Sequence, residues 1–225
     1  MRTYVSTLGF HETRVTRPVI SNGIDDEDRI ILVRPASGNT DDRAQSAASY
    51  VADMIGEIAP DATVVTEHVD TSEFTKTVLQ CSDILQAVDH NRKLIVNFGG
   101  GAREVLLPLL LAAVIHTRSV DKAFQYTDVE QEVQNIPIPE LTTQLPRNTI
   151  ETFALVAESG SEQISLPSLA RKSPQSKSTV SRHIDTLATA DVIDTWLDEN
   201  IKHIRLSQTG QLLHRAGVIS ELRES

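Results

Sequence analysis

The chain of 225 residues has one cysteine, Cys81, so no disulfide can form within it, and the lone thiol lacks any redox or metal motif around it. It also lacks a long apolar run: the longest, residues 105–115, is far short of a bilayer span, and the opening Met1-Arg2-Thr3-Tyr4-Val5 has no apolar signal-peptide core. A soluble protein in a reducing cytoplasm, with no membrane association, is the expectation. The seven histidines (11, 68, 90, 116, 183, 203 and 214) include no pair at helical ligand spacing, which argues against a zinc or other metal site. No GxGxxG and no Gly-Lys-Ser/Thr is present, which removes the signatures of dinucleotide and P-loop binding. Lysine is scarce, six residues against fifteen arginines, and acidic doublets such as Asp25-Asp26 and Asp41-Asp42 recur. That bias resembles the proteins of salt-loving organisms, in which salt weakens phosphate contacts.

What is present divides the chain in two. Residues 1–145 hold 12 Lys+Arg and 21 Asp+Glu, whereas 146–225 hold 9 and 10, so the second part is the one able to approach an anion. We expect an α/β domain over 1–138, a proline-stiffened linker over 139–148 and a second domain over 149–225. In the first, short apolar segments at 3–7, 29–34, 63–69 and 93–98 read as strands, with a fifth at 123–128 and a possible edge at 132–136. Helical patterns at 42–58, 74–88 and 103–116 separate them, which predicts a doubly wound, Rossmann-like sheet. Asp25-Asp26-Glu27-Asp28 reads as a solvated loop.

Two strand ends carry unusual chemistry. The first runs into Ser6-Thr7-Leu8-Gly9-Phe10 and the fourth into Asn97-Phe98-Gly99-Gly100-Gly101-Ala102-Arg103. Glycines that bring backbone amides close, a helix amino end and an arginine fork compose a phosphate cradle. The alternative is a tight turn needed where a strand packs close to its helix. The helix that follows is apolar on every side, with Pro108 early enough to be tolerated, so a second surface must bury the remainder: another subunit, or the second domain.

Residues 166–193 read as a helix-turn-helix. Ser165 caps a short helix with Leu166, Leu169 and Ala170 inward; Lys172-Ser173-Pro174-Gln175 breaks the chain; Ser176 caps a second helix with Val180, Ile184 and Leu187 on one face. The other face carries Ser178, Ser181, Arg182, Asp185 and Thr189. From Arg171 to His183 there are four cations, Arg171, Lys172, Lys177 and Arg182, and no carboxylate, which suits phosphates and base edges of double-stranded DNA. The candidate DNA-binding set is Arg171, Lys172, Ser176, Lys177, Ser178, Ser181 and Arg182; a solvated basic rim is the plain alternative. His183 could touch phosphate, but a partly buried histidine is the commoner case. A hairpin over 192–206, turning at Asp198-Glu199-Asn200, stands where a winged helix carries its wing, though its acidic tip is unsuited to gripping phosphate, and Ser207 caps a closing helix.

These features resemble the archaeal CRISPR-associated transcription regulators, which join an amino-terminal CARF (CRISPR-associated Rossmann fold) domain to a carboxy-terminal winged helix. The likeness spans nearly the whole chain, and its specific parts are Thr7-Leu8-Gly9-Phe10 and Asn97 through Arg103 before a leucine-rich helix. The resemblance implies a homodimer that binds cyclic oligoadenylate, usually cyclic tetra-adenylate, about its twofold axis, and promoter DNA through its winged helices. By the motif match, Thr7, Leu8, Gly9, Phe10, Asn97, Gly99, Gly100, Gly101 and Arg103 would line the ligand site. Where relatives often place Ser or Thr before the paired glycines this chain has Gly99, which leaves phosphate contact to the backbone and Arg103. Some CARF proteins cleave their ligand by turning a ribose 2'-hydroxyl onto the adjacent phosphate, so a ring nuclease is the rival expectation. No dedicated base is visible, so no catalytic residue and no cofactor is expected.

Overall fold

The computed structural model describes residues 1–36, 42–127, 129–159 and 163–217. The chain forms two compact units, Met1–Ile138 and Pro139–Ser225.

The first unit is a six-stranded sheet with helices on both faces. Its strands are β1 (Arg2–Thr7), β2 (Arg29–Pro35), β3 (Thr63–Val69), β4 (Lys93–Asn97), β5 (Lys122–Tyr126) and β6 (Val133–Asn135), in the order β3-β2-β1-β4-β5-β6. All pairings are parallel except β5 with β6. The helices are α1 (Thr13–Ser21), α2 (Asp42–Ile58), α3 (Phe74–Gln86) and α4 (Arg103–Ile115). Strand order reverses between β1 and β4, which is where a doubly wound sheet leaves a crevice beyond the carboxyl ends of its strands. Alternate residues of each strand enter two separate cores. Val5, Ile31, Val33 and Val96 pack under α3 and α4; Tyr4, Ile30, Leu32 and Ile95 pack under α1 and α2. Both faces of the central strands are therefore apolar, as a parallel sheet requires.

Helix α1 is not predicted by the sequence pattern, because Pro18 lies inside it and proline breaks the hydrogen-bond ladder of a helix. Here the proline ring sits on the buried face with Val15 and Val19, so burial outweighs the lost bond. In the acidic run at 25–28 the first three residues are exposed loop as expected, and Asp28 alone departs from it. Asp28 is buried, accepts the Arg2 amide at 2.6 Å and the Asp25 amide at 3.0 Å, and lies 3.5 Å from the Arg2 guanidinium. Its charge is paired because a carboxylate out of water demands it.

The second unit contains α5 (Ile150–Glu158), β7 (Ile164–Ser165), α6 (Leu166–Lys172), α7 (Lys177–Thr189), β8 (Ile193–Asp198), β9 (Ile201–Leu206) and α8 (Gln208–Arg215), with strand order β7-β9-β8. This is a winged helix-turn-helix. Phe153, Leu169, Val180, Ile184, Leu187 and Ile204 are fully buried together. Three serines cap three helices: Ser165 accepts from Ser168 N–H at 3.3 Å, Ser176 from Thr179 N–H at 3.2 Å and Ser207 from Gly210 N–H at 3.1 Å. Each closes an orphan donor of a first helical turn. Ahead of α5, the Glu140 amide donates to the Thr209 hydroxyl at 3.1 Å, so the segment expected as a linker lies within this unit. His183 is buried and its Nδ1 stands 2.9 Å from the Thr152 hydroxyl of α5, so it is a core residue and not a phosphate contact.

Among the described residues no helix is long and apolar enough to cross a membrane, and no cluster of three or more His, Cys, Asp or Glu is placed to hold a metal ion.

Candidate ligand cavity and nucleic-acid interface

The loops after β1 and β4 touch. A Cβ on Gly9 would fall 2.7 Å from Gly101 Cα, and one on Gly99 would fall 2.7 Å from the Arg14 carbonyl oxygen and 2.9 Å from Asn97 Nδ2. Gly101 also has φ near +102°, a conformation other residues rarely adopt. The triple glycine therefore serves close packing of two loops directly. A cavity of about 470 Å³ opens beside that junction.

The contact with α1 has a clear origin. Pro18 has no N–H to offer the carbonyl four residues before it, which is Arg14. Asn97 Nδ2 donates to that oxygen at 3.0 Å and to the Ser6 hydroxyl at 2.8 Å, so β4 reaches across the switch point to satisfy the helix. Asn97 is fully buried, its Oδ1 and the Thr7 Oγ1 have no described hydrogen-bond partner, and neither residue lines the cavity.

The residues that line it are Leu8, Gly9, Phe10, His11, Arg14, Arg34, Pro35, Ala44, Gly99, Gly101 and Ala102. Of the set expected from sequence, Leu8, Gly9, Phe10, Gly99 and Gly101 meet there. Thr7 and Asn97 lie beneath; Gly100 faces the Arg14 guanidinium, and Arg103 is exposed at the start of α4 outside the cavity wall. The cationic side chains are instead Arg14 and Arg34, with His11 beside them. Arg34 is the penultimate residue of β2, next to the strand end, so the strand-end rule applied to β2 points to it; Arg14 and His11 belong to the unpredicted α1 and its approach. The lining contains no carboxylate among the described residues, in a chain of net charge −10. Phe10 is half exposed at the rim, with the Arg43 guanidinium 4.4 Å above its ring, an arrangement suited to stacking on a flat ligand. A larger cavity of about 540 Å³ lies at the opposite ends of the strands, where Asp89 and Asp121 mix with His90, Arg92, His116 and Arg118; its mixed charge selects no ligand sign.

Helix α4 carries the second feature of this unit. Val105, Leu109, Ala112 and Ala113 are buried, while Leu107, Leu110, Leu111 and Ile115 are exposed. An apolar stripe facing water marks an interaction surface.

In the second unit the residues expected to contact DNA lie at the end of α6 and along the first turns of α7. Arg171, Lys172, Ser176, Lys177, Ser178 and Arg182 are exposed and Ser181 is half buried. The wing turns through Glu199 and Asn200, with φ of 46° and 64°, the pairing of left-handed residues that a two-residue hairpin demands. One residue the sequence pattern leaves unpaired finds a partner here: Asp185 of α7 accepts from Lys202 of β9 at 2.8 Å.

Residues 2–139 match the family model described as Csa3 CRISPR-associated Rossmann-like domain. Among solved structures, Csm6 of Enterococcus italicus, bound to cyclic hexa-2'-fluoro-hexa-dAMP, is similar at 12% identity and a TM-score of 0.51, over 85% of this chain and 56% of that one. The chain thus spans about half of that protein, and the likeness concerns the fold. A putative DNA-binding protein of Ralstonia eutropha (22% identity, TM-score 0.29, 32% of this chain and 96% of that one) is more distant. So is a MarR family transcriptional regulator from Silicibacter pomeroyi (19% identity, TM-score 0.29, 55% and 77%). No curated protein matches the chain.

Proposed function

The chain belongs to the family of the Csa3 CRISPR-associated Rossmann-like domain, and from that membership we propose that it is a ligand-responsive transcription regulator of a CRISPR system. Its first unit binds cyclic oligoadenylate, cyclic tetra-adenylate foremost, and its second binds promoter DNA. The observation that carries this reading is the pairing, in one acidic chain, of a cavity whose described lining holds Arg14, Arg34 and His11 and no carboxylate with an exposed cationic helix-turn-helix. Phosphates of the ring meet the arginines and the backbone at the paired loops, and a base stacks on Phe10. Two copies join through the exposed leucines of α4, which sets two α7 helices on a palindromic operator. Ligand shifts the balance between two arrangements of the dimer only in so far as it binds them unequally.

The test uses the full chain with labelled cyclic tetra- and hexa-adenylate, and a gel shift on the promoter next to its own gene. Intact ring retained at equilibrium supports a sensor; turnover to linear product supports the ring nuclease in its place. Leu111→Asp converts a dimer to a monomer by sedimentation, and an unchanged mass would remove α4 as the interface.

A further inference from the structure

Helix α7 carries one carboxylate, Asp185, and it lies on the same outer face as Ser178, Ser181 and Arg182. Its side chain is 63% exposed, and Oδ1 accepts from Lys202 Nζ at 2.8 Å. Oδ2 accepts no hydrogen bond from any described residue. An exposed ion pair contributes little to stability, and a bare carboxylate on a face that meets phosphates opposes binding. Stability and non-specific affinity therefore both leave this acid unaccounted for, and a lysine from the wing strand removes its charge while leaving one oxygen open.

Resting on the reading of α7 as a DNA-binding helix, we propose that Asp185 is a base-specifying residue: its free Oδ2 accepts from the exocyclic N4 amino group of cytosine in the major groove, while Lys202 holds the carboxylate in place and cancels its charge. Cytosine offers an amino donor there, the partner an aspartate takes. Adenine sets its amino group beside the N7 acceptor, which calls for the donor-and-acceptor pair of an amide and repels a carboxylate. Lys202 is a positioning residue in this account. It brings the wing into sequence reading through its strand, although the wing tip at Asp198 and Glu199 is acidic.

The experiment is enrichment of duplexes from a randomised pool by the full chain, with and without cyclic tetra-adenylate. The wild type is expected to select cytosine at one position of each half-site. Asp185→Ala flattens that position alone, a loss of roughly 5- to 100-fold in preference there, and Asp185→Asn moves the preference to adenine. Lys202→Met lowers binding to all sequences while the cytosine preference persists in weakened form. If Asp185→Ala and Asp185→Asn both select the same site as the wild type, Asp185 is a surface ion pair and the proposal is wrong. If the wild type itself enriches no duplex in either condition, the DNA-binding reading of α7 fails first and takes this proposal with it.

Discussion

The strand-end cavity of the first unit and the α6–α7 face of the second differ in what puts their groups in place. On α7 the spacing of one helix delivers Lys177, Ser178, Ser181 and Arg182 to a common face, and the chemistry resides in exposed side chains. At the cavity, three segments far apart in sequence converge on backbone that approaches within a Cβ of contact, and the side chains with charge arrive from α1 and β2. The first kind of site tolerates substitution of its neighbours; the second depends on atoms that leave no room.

The largest effect that sharpens this contrast is steric. Gly99→Ala, placing a methyl 2.7 Å from the Arg14 carbonyl, is expected to cost about 1–3 kcal/mol in thermal unfolding and to abolish retention of cyclic tetra-adenylate. Gly56→Ala in α2, where nothing lies within 4 Å, is expected to stabilise by up to about 1 kcal/mol and leave binding intact. Equal behaviour of the two would erase the distinction. Next, Lys177→Ala with Arg182→Ala is expected to weaken the gel shift roughly tenfold or more, and to reduce the slope of its salt dependence by about one for each cation removed from a phosphate, with ligand binding unchanged. Arg14→Ala is expected to do the reverse. Abolition of both activities in either variant would break the separation into two sites.

A smaller effect lies in the cap: Ser176→Ala is expected to lower the stability of the second unit by about 1 kcal/mol. Trp196, the chain's one tryptophan, lies on the wing and reports that unit by fluorescence. The smallest is the response to pH. Burial, with the Arg182 charge beside it, depresses the His183 imidazole below its ordinary 6.5, so the unfolded chain takes up a proton before the folded one does. Stability of the second unit is complete above that value and falls as the pH drops below it. His183→Gln is expected to remove the slope in the same Trp196 measurement.

The same contrast governs how far the sequence could be read. Helix-turn-helix, wing and the alternation of strands with helices follow from periodicity and caps, and the match of residues 2–139 to the family bears out the Rossmann-like reading. At the cavity, the strand-end rule finds the two loops because glycine and hydroxyl residues stand out in a strand pattern. It does not find Arg14, because a proline hides the helix that carries it, nor that Thr7 and Asn97 lie beneath the surface, because depth depends on which loop folds over which. Arg103 follows a helix-start rule that is correct about the helix, yet its side chain leaves the cavity wall. The pairing of Asp185 with Lys202 joins elements 17 residues apart, a distance at which one-dimensional pattern has no purchase.

Pro18 has a consequence beyond its own helix. By withholding one hydrogen from the ladder of α1 it obliges that helix to borrow a donor from the far side of the switch point, and Asn97 supplies it. The turn after β4 is thus tied to α1 at a single oxygen, and the same amide ties it to β1 through Ser6. Pro18→Ala would give that oxygen a helical donor of its own, so that α1 no longer depends on Asn97, while leaving every cavity-lining residue unchanged.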